Sequence, residues 1–238
     1  MSSDQFHSTD FRVSALWAAA LPLLTINVCY LFAIGLDHLP ACFPYISGCT
    51  SVSSAGRLAP ESLIFKMGML PFAVIIVFFW RRCSTFLAVV GRSRSRFIAL
   101  RLLGVIAALS LTLYVVALGL RGDEYRLLRR IGIDGFALSN LMSQVMFVFA
   151  YRHMRLGETE KLWRWLVVLC LALPALGIAA EVAKWAGAPR HVANNIVAWN
   201  AYVVLCAYFA VMSRLRSHHS LSAQSESTSS GRATSPRL

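Results

Sequence analysis

The chain is poor in charged residues. Asp, Glu, Lys and Arg make up 14% of its 238 residues, whereas soluble domains carry about 25%. Apolar residues are correspondingly abundant at 57%. This balance argues against a soluble enzyme, a secreted disulfide scaffold and a nucleic-acid-binding domain, because each of these needs more polar surface than the composition supplies.

The short motifs of common catalytic and metal sites are missing as well. The sequence has no His-x-x-x-His, no Cys-x-x-Cys, no Gly-x-Ser-x-Gly and no glycine-rich phosphate loop. A retinal protein needs a lysine deep in its last helix, and the last apolar stretch contains none. We therefore predict no catalytic residue, no metal ligand and no cofactor.

What the sequence does contain is six apolar stretches, each long enough to cross a bilayer core of about 30 Å. We predict an all-α fold, a polytopic transmembrane bundle of six helices with an extended outer first loop. The predicted parts are a cytoplasmic N-terminus (1–12), the six-helix transmembrane domain (13–213) and a disordered Ser-rich cytoplasmic tail (214–238). The predicted spans are Val13–Leu36, Ser62–Trp80, Phe97–Leu120, Gly132–Tyr151, Leu162–Glu181 and Val192–Met212.

The positive charge is distributed unevenly between the two sides of these spans. The net charge is +12, and roughly two thirds of the Lys and Arg residues fall in segments that share a side with the N-terminus. The positive-inside rule therefore predicts that both termini are cytoplasmic. We expect an integral membrane protein of the plasma membrane in a bacterium, or of an endomembrane in a eukaryote, with no nucleic-acid partner.

The first connection between spans, Asp37–Glu61, is the longest one and is rich in Pro, Gly and Ser. A loop of this length between membrane helices is more often functional or specifically folded than idle. Cys42 and Cys49 both lie in it, on the side where disulfides persist. Their spacing allows a disulfide and equally allows two free thiols.

Four short motifs follow one another along the chain: Pro44-Tyr45-Ile46-Ser47, Pro60-Glu61-Ser62 with Phe65, Asp134-Gly135 with Ala137-Leu138, and His191 with Trp199. In this order they resemble the Frag/DRAM/Sfk family of six-span membrane proteins, which includes relatives of the GPI-lipid remodelling factor and of the Cwh-type N-terminal domain. The resemblance covers about 12–212 and implies a six-span fold with a role in organising membrane lipid or in handling lipid-anchored molecules.

Ionisable residues collect near the predicted outer boundary. Glu61, Asp134, Glu181 and His191 each open or close a span there, and Lys66 lies about one turn deeper, within reach of Glu61 or Asp134. Ionisable groups inside a membrane are costly and commonly functional. Three interpretations remain open: interfacial solvation with one ion pair, a headgroup pocket, and an acid–base site.

The sixth span adds a polar stripe. His191, Asn195, Trp199 and Tyr202 recur on one helical face. These groups either hold helices together or line a pocket that opens to the outer leaflet under the first loop. The candidate ligand-binding residues for such a pocket are Glu61, Lys66, Asp134, His191, Asn195 and Trp199.

The function that these patterns favour is non-catalytic binding or organisation of membrane lipid, or of a membrane protein partner, on the outer-leaflet side. The alternative is an enzyme, or an essential cofactor protein, of lipid acyl or headgroup remodelling. A transporter of small solutes is the third hypothesis.

Overall fold

The computed structural model describes residues 3–90, 94–120, 122–152 and 159–215, so the predicted disordered tail lies almost wholly outside the described residues. Within them the chain forms eight helices. In order they are α1 (Ser3–Gly35), α2 (Pro44–Ser47), α3 (Val52–Ala55), α4 (Glu61–Val90), α5 (Arg94–Ala117), α6 (Asp123–Arg152), α7 (Thr159–Trp185) and α8 (Arg190–Met212).

The six long helices, α1 and α4 to α8, are each long and apolar enough to cross a membrane. A helix satisfies its own backbone N–H and C=O groups, which is what a segment surrounded by lipid requires. The prediction of an all-α bundle with six spans is confirmed.

Several helices run beyond the predicted spans. α4 continues from Trp80 to Val90, and α6 begins at Asp123 rather than at Gly132. α1 begins at Ser3, so most of the predicted N-terminal segment is helical. Hydropathy marks the part of a helix that prefers lipid, whereas Arg, Leu and Ala continue the same helix into a polar environment.

The six long helices form a ring in the order α1, α4, α5, α6, α7 and α8, and α8 packs back on α1. Aromatic side chains fill its interior; Phe79 and Phe209, for example, meet edge to face at 4.9 Å. Because consecutive long helices alternate in direction, the start of α1 and the end of α8 lie at one end of the ring. The other end, which we call the loop end, carries residues 36–60 and 186–189.

α5 and α6 approach each other so closely that their backbones touch. A Cβ atom on Gly132 of α6 would lie 2.7 Å from the backbone N of Tyr114 and 2.8 Å from the carbonyl oxygen of Ser110. Small residues at such contacts are what allow helices to pack in lipid, where no hydrophobic force drives them together.

α7 is the least enclosed helix. Only 17% of its most apolar window is buried within the chain, against 33% to 44% for the other five long helices. α7 therefore lies at the periphery of the bundle, and the ring of helices is packed less tightly there.

The contact at Gly132 predicts a difference between two glycine variants. Gly132→Ala should lower the free energy of unfolding by about 1–3 kcal/mol, because a methyl group there forces two backbones apart. Gly177→Ala is the matched control on α7, since no atom lies within 4 Å of a Cβ at that position. Thermal unfolding of both purified variants in detergent checks this, and equal stabilities would contradict it.

Candidate functional site

The first loop turns back into the loop end of the ring and lies between α1 and α8. Three of its carbonyl oxygens accept hydrogen bonds from side chains of α8. The Asn195 amide donates to Gly48 at 2.8 Å, and the Trp199 indole donates to Thr50 at 2.9 Å. The third bond, from the Asn200 amide to Tyr45, measures 2.9 Å.

α1 holds the other side of the same loop. The Tyr30 hydroxyl donates to the Cys42 carbonyl oxygen at 2.8 Å and accepts from the Cys42 N–H at 3.0 Å. Deeper along α1, the Asn27 amide donates to the Tyr45 hydroxyl at 2.8 Å, and that hydroxyl lies 3.1 Å from the Asn27 oxygen. The loop is thus bonded to two spans at once.

These partners define how deep the loop reaches. Asn200 lies ten residues past the start of α8 at Arg190, and Asn27 lies eight residues before the end of α1 at Gly35. At 1.5 Å per residue, the Tyr45 contacts lie about 12–15 Å below the ends of both helices. The segment around Tyr45 is therefore re-entrant: it lies at the depth of the spans and not above them. We call residues 40–50 the re-entrant segment.

Aromatic side chains of α1 and of the re-entrant segment pack around Trp199. Trp199 is fully buried, and the rings of Tyr45 and Tyr30 meet it edge-on at 5.1 Å and 5.5 Å. The space beside Trp199 is occupied by side chains of the chain itself.

A disulfide and a glycine shape the re-entrant segment. Cys42 and Cys49 are joined in a disulfide, which closes the turn around α2. Gly48 ends α2 with φ of +59°, and a Cβ there would lie 2.5 Å from the carbonyl oxygen of Val192 on α8. Only glycine combines this left-handed conformation with so close an approach to a neighbouring helix.

The outward side of the re-entrant segment is apolar. Phe43 is 61% exposed and Ile46 is 75% exposed, although both lie within the segment that α1 and α8 hold by hydrogen bonds. Large exposed apolar side chains are suited to contact with lipid or with an apolar partner surface.

A carboxylate–imidazole pair lies at the start of α4. Glu61 is 1% exposed, and its Oε1 atom lies 2.6 Å from Nδ1 of His38 in the loop. Its Oε2 atom has no hydrogen-bond partner among the described residues. The contact orients the His38 ring, whose side chain is 32% exposed.

Lys66 does not pair with Glu61. Five residues separate them on α4, which rotates their side chains about 140° apart, so the two groups leave the helix on different sides. Glu61 is buried and bonded to His38, whereas Lys66 is half-buried and forms no ion pair with a described residue.

Asp134 and His191 stand apart from this pair. Both side chains are exposed, and neither has a hydrogen-bond or ion-pair partner in the part of the chain that the structure describes. Asp134 lies eleven residues into α6 and not at its start. Of the six predicted ligand-binding residues, Asn195 and Trp199 are brought together at the re-entrant segment, with Glu61 beside the loop that they hold.

Metal-ligating side chains do not cluster. In residues 3–90, 94–120, 122–152 and 159–215, no three His, Cys, Asp or Glu side chains come close enough to hold an ion.

Sequence reasoning missed three members of the site. Tyr30, Tyr45 and Asn200 were not among the predicted ligand-binding residues, although all three bond the loop to a span. The available signal was the pair of amides at Asn195 and Asn200, because two amides within one span require polar partners.

Comparison of the chain with protein-family models, with curated proteins and with solved structures found no match.

The bond from Asn195 to Gly48 predicts a stability difference between two adjacent residues. Asn195→Leu leaves the Gly48 carbonyl without its donor at the depth of the spans, and the free energy of unfolding should fall by about 1–2 kcal/mol. Asn194→Leu is the matched control, since Asn194 is exposed and bonds to no described residue. Thermal unfolding of both variants measures the difference. If Asn194→Leu is as damaging as Asn195→Leu, the bond does not hold the loop.

Proposed function

We propose that this protein binds and organises lipid of the outer leaflet through its re-entrant segment, without catalysing a reaction. The observation that carries the proposal is the exposure of Phe43 and Ile46 at the depth of the spans. Several backbone carbonyl oxygens of the segment accept hydrogen bonds from side chains of α1 and α8, which lowers the cost of placing this backbone against acyl chains.

The orientation within the membrane is part of the same proposal. Roughly two thirds of the Lys and Arg residues fall on the side of the termini, which favours a cytoplasmic location for both termini. The loop end then faces the outer leaflet. The membrane is the plasma membrane in a bacterium or an endomembrane in a eukaryote.

The resemblance to the Frag/DRAM/Sfk family supports the same class of function. Two of its motifs fall on the site, since Pro44-Tyr45-Ile46-Ser47 forms α2 and Glu61 begins α4. We propose on this basis that the chain is a protein of the Frag/DRAM/Sfk type. A membrane protein partner at the same surface is the other occupant that this resemblance allows.

Lipid contact at the segment can be measured directly. A phospholipid with a photoreactive acyl chain, reconstituted with the protein, should crosslink to residues 43–46, as mapped by mass spectrometry. The double variant Phe43→Ser/Ile46→Ser should reduce this crosslinking several-fold, because polar side chains exclude acyl chains from the surface.

Leu63→Ser is the matched control for this experiment, since Leu63 is a similarly exposed residue on α4. It should leave crosslinking of residues 43–46 unchanged. A wild-type protein that crosslinks on α4 and α5 but never on residues 43–46 would show that the segment is covered by something other than lipid.

The His38–Glu61 pair favours a second candidate, an enzyme of lipid remodelling. A buried carboxylate that orients an accessible imidazole is an arrangement that serves general acid–base catalysis. On this alternative His38 would move the proton and Glu61 would fix its ring.

The two candidates differ in their effect on membrane lipid composition. Non-catalytic binding predicts the same acyl and headgroup profile in cells that express the wild type, His38→Ala, Glu61→Gln or the exposed-histidine control His191→Ala. Lipid mass spectrometry at equal protein levels checks this. A profile that the wild type alters and that His38→Ala restores, with no effect of His191→Ala, would establish the enzyme and reject the non-catalytic proposal.

A further inference from the structure

Arg101 is a cation inside a membrane span. The apolar part of α5 begins at Phe97, and Arg101 follows four residues later, about 6 Å along the helix. Arg101 is exposed, and so are its apolar neighbours on the same helix, Ile98, Leu102 and Val105. A guanidinium on this apolar surface lies next to lipid, where a charge without a partner is costly.

Two hydroxyl groups of α4 hold this guanidinium in place. The Nε atom of Arg101 donates to the Ser84 hydroxyl at 2.9 Å, and that hydroxyl donates to the Phe97 carbonyl oxygen at 3.0 Å. Ser84 is fully buried. A longer contact of 3.5 Å joins Nη2 of Arg101 to the Thr85 hydroxyl. The guanidinium is therefore anchored along one edge, back toward the start of α5, and its Nη1 atom has no partner among the described residues.

The helix packing beside this contact is tight. A Cβ atom on Gly104 of α5 would lie 2.6 Å from the Cβ atom of Trp80 on α4. Trp80 lies four residues before Ser84, and Gly104 lies three residues after Arg101. In two antiparallel helices these contacts are successive turns of one interface. The close approach at Gly104 thus fixes the register of α4 on α5, and with it the place of the guanidinium.

No acid on α4 or α5 compensates this charge. Residues 62–122 contain no Asp or Glu, and Arg101 forms no ion pair in the part of the chain that the structure describes. Arg81 is a second exposed cation, and its carbonyl oxygen accepts a hydrogen bond from the Thr85 hydroxyl at 3.1 Å. Since residues four apart share a helix face, Arg81 leaves α4 on the same face as the hydroxyl that contacts Arg101.

We propose that Arg101 and Arg81 bind the phosphate of an anionic phospholipid in the leaflet opposite the loop end. A guanidinium binds phosphate well, and an arginine side chain that turns toward the start of its span reaches the level of the headgroups. Acyl chains then lie along Ile98 and Leu102. A lipid of net negative charge is preferred to a zwitterionic one, because neither helix offers an acid near these cations for an ammonium group. The site shares no residue with the re-entrant segment, so it goes beyond the proposed function.

Retained lipid measures this binding. Purified protein is incubated with equal amounts of phosphatidylglycerol and phosphatidylcholine in mild detergent, and retained lipid is counted by native mass spectrometry. The wild type should prefer phosphatidylglycerol, and Arg101→Gln should reduce its retention about threefold. Arg130→Gln is the matched control, which removes the same charge from an exposed arginine of α6 toward the loop end and should have little effect. Arg81→Gln, on an exposed side chain, serves if Arg101→Gln is unstable.

A second variant separates a built site from attraction to net charge. Ser84→Ala keeps every charge but removes the hydroxyl that anchors Nε of Arg101, so it should also lower retention of phosphatidylglycerol. Thermal unfolding shows whether each variant is folded. Equal losses with Arg101→Gln and Arg130→Gln, or unchanged retention with a folded Ser84→Ala, overturn the proposal.

The phosphate could also belong to a free ion, and competition distinguishes the two sources. Millimolar inorganic phosphate should leave phosphatidylglycerol bound to the same extent as chloride of equal ionic strength, because the acyl contacts are available only to the lipid. Displacement by phosphate but not by chloride would assign these donors to free phosphate and overturn the lipid site. Phe43→Ser/Ile46→Ser should leave retention intact, so a failure of this proposal and a failure of the proposed function are distinguishable.

Discussion

The loop end is organised by one constraint: a non-helical backbone at membrane depth has to find hydrogen-bond partners within the protein. The re-entrant segment is too short to satisfy its own carbonyl groups, because α2 is only four residues long. Asn195, Trp199 and Asn200 supply the missing donors from α8, and Tyr30 supplies another from α1. An unpaired side-chain amide at membrane depth costs free energy, and so does an unpaired carbonyl group. A hydrogen bond between the two removes both penalties.

This constraint also decides which surface is free to bind. The polar face of the re-entrant segment is consumed by α1 and α8, and Tyr45 and Tyr30 cover the ring of Trp199. What remains exposed is the apolar face of Phe43 and Ile46.

The general architecture could be predicted because hydropathy alone reports which segments prefer lipid. The ends of the helices could not be predicted in this way. The residues beyond Trp80 and before Gly132 continue a helix but do not prefer lipid, so hydropathy does not mark where these helices end. Asn195 and Trp199 could be recognised as polar groups inside a span, but their partners Gly48 and Thr50 are nearly 150 positions away in the chain. Nor could Glu61 be matched with His38, because Lys66 lies nearer in sequence and only the rotation along α4 directs the two charges to different sides.

The separation in sequence between the re-entrant segment and α8 has a consequence for biosynthesis. Its three bonds to α8 join residues 147 to 155 positions apart, so residues 40–50 leave the ribosome long before the side chains that satisfy them. Until α8 is inserted, their carbonyl groups have to remain hydrated in water, and burial in the bundle is a late event. Assembly of this end therefore depends on completion of the last helix. A nascent chain truncated before Asn195 lacks all three of these donors and would keep the segment at the membrane surface.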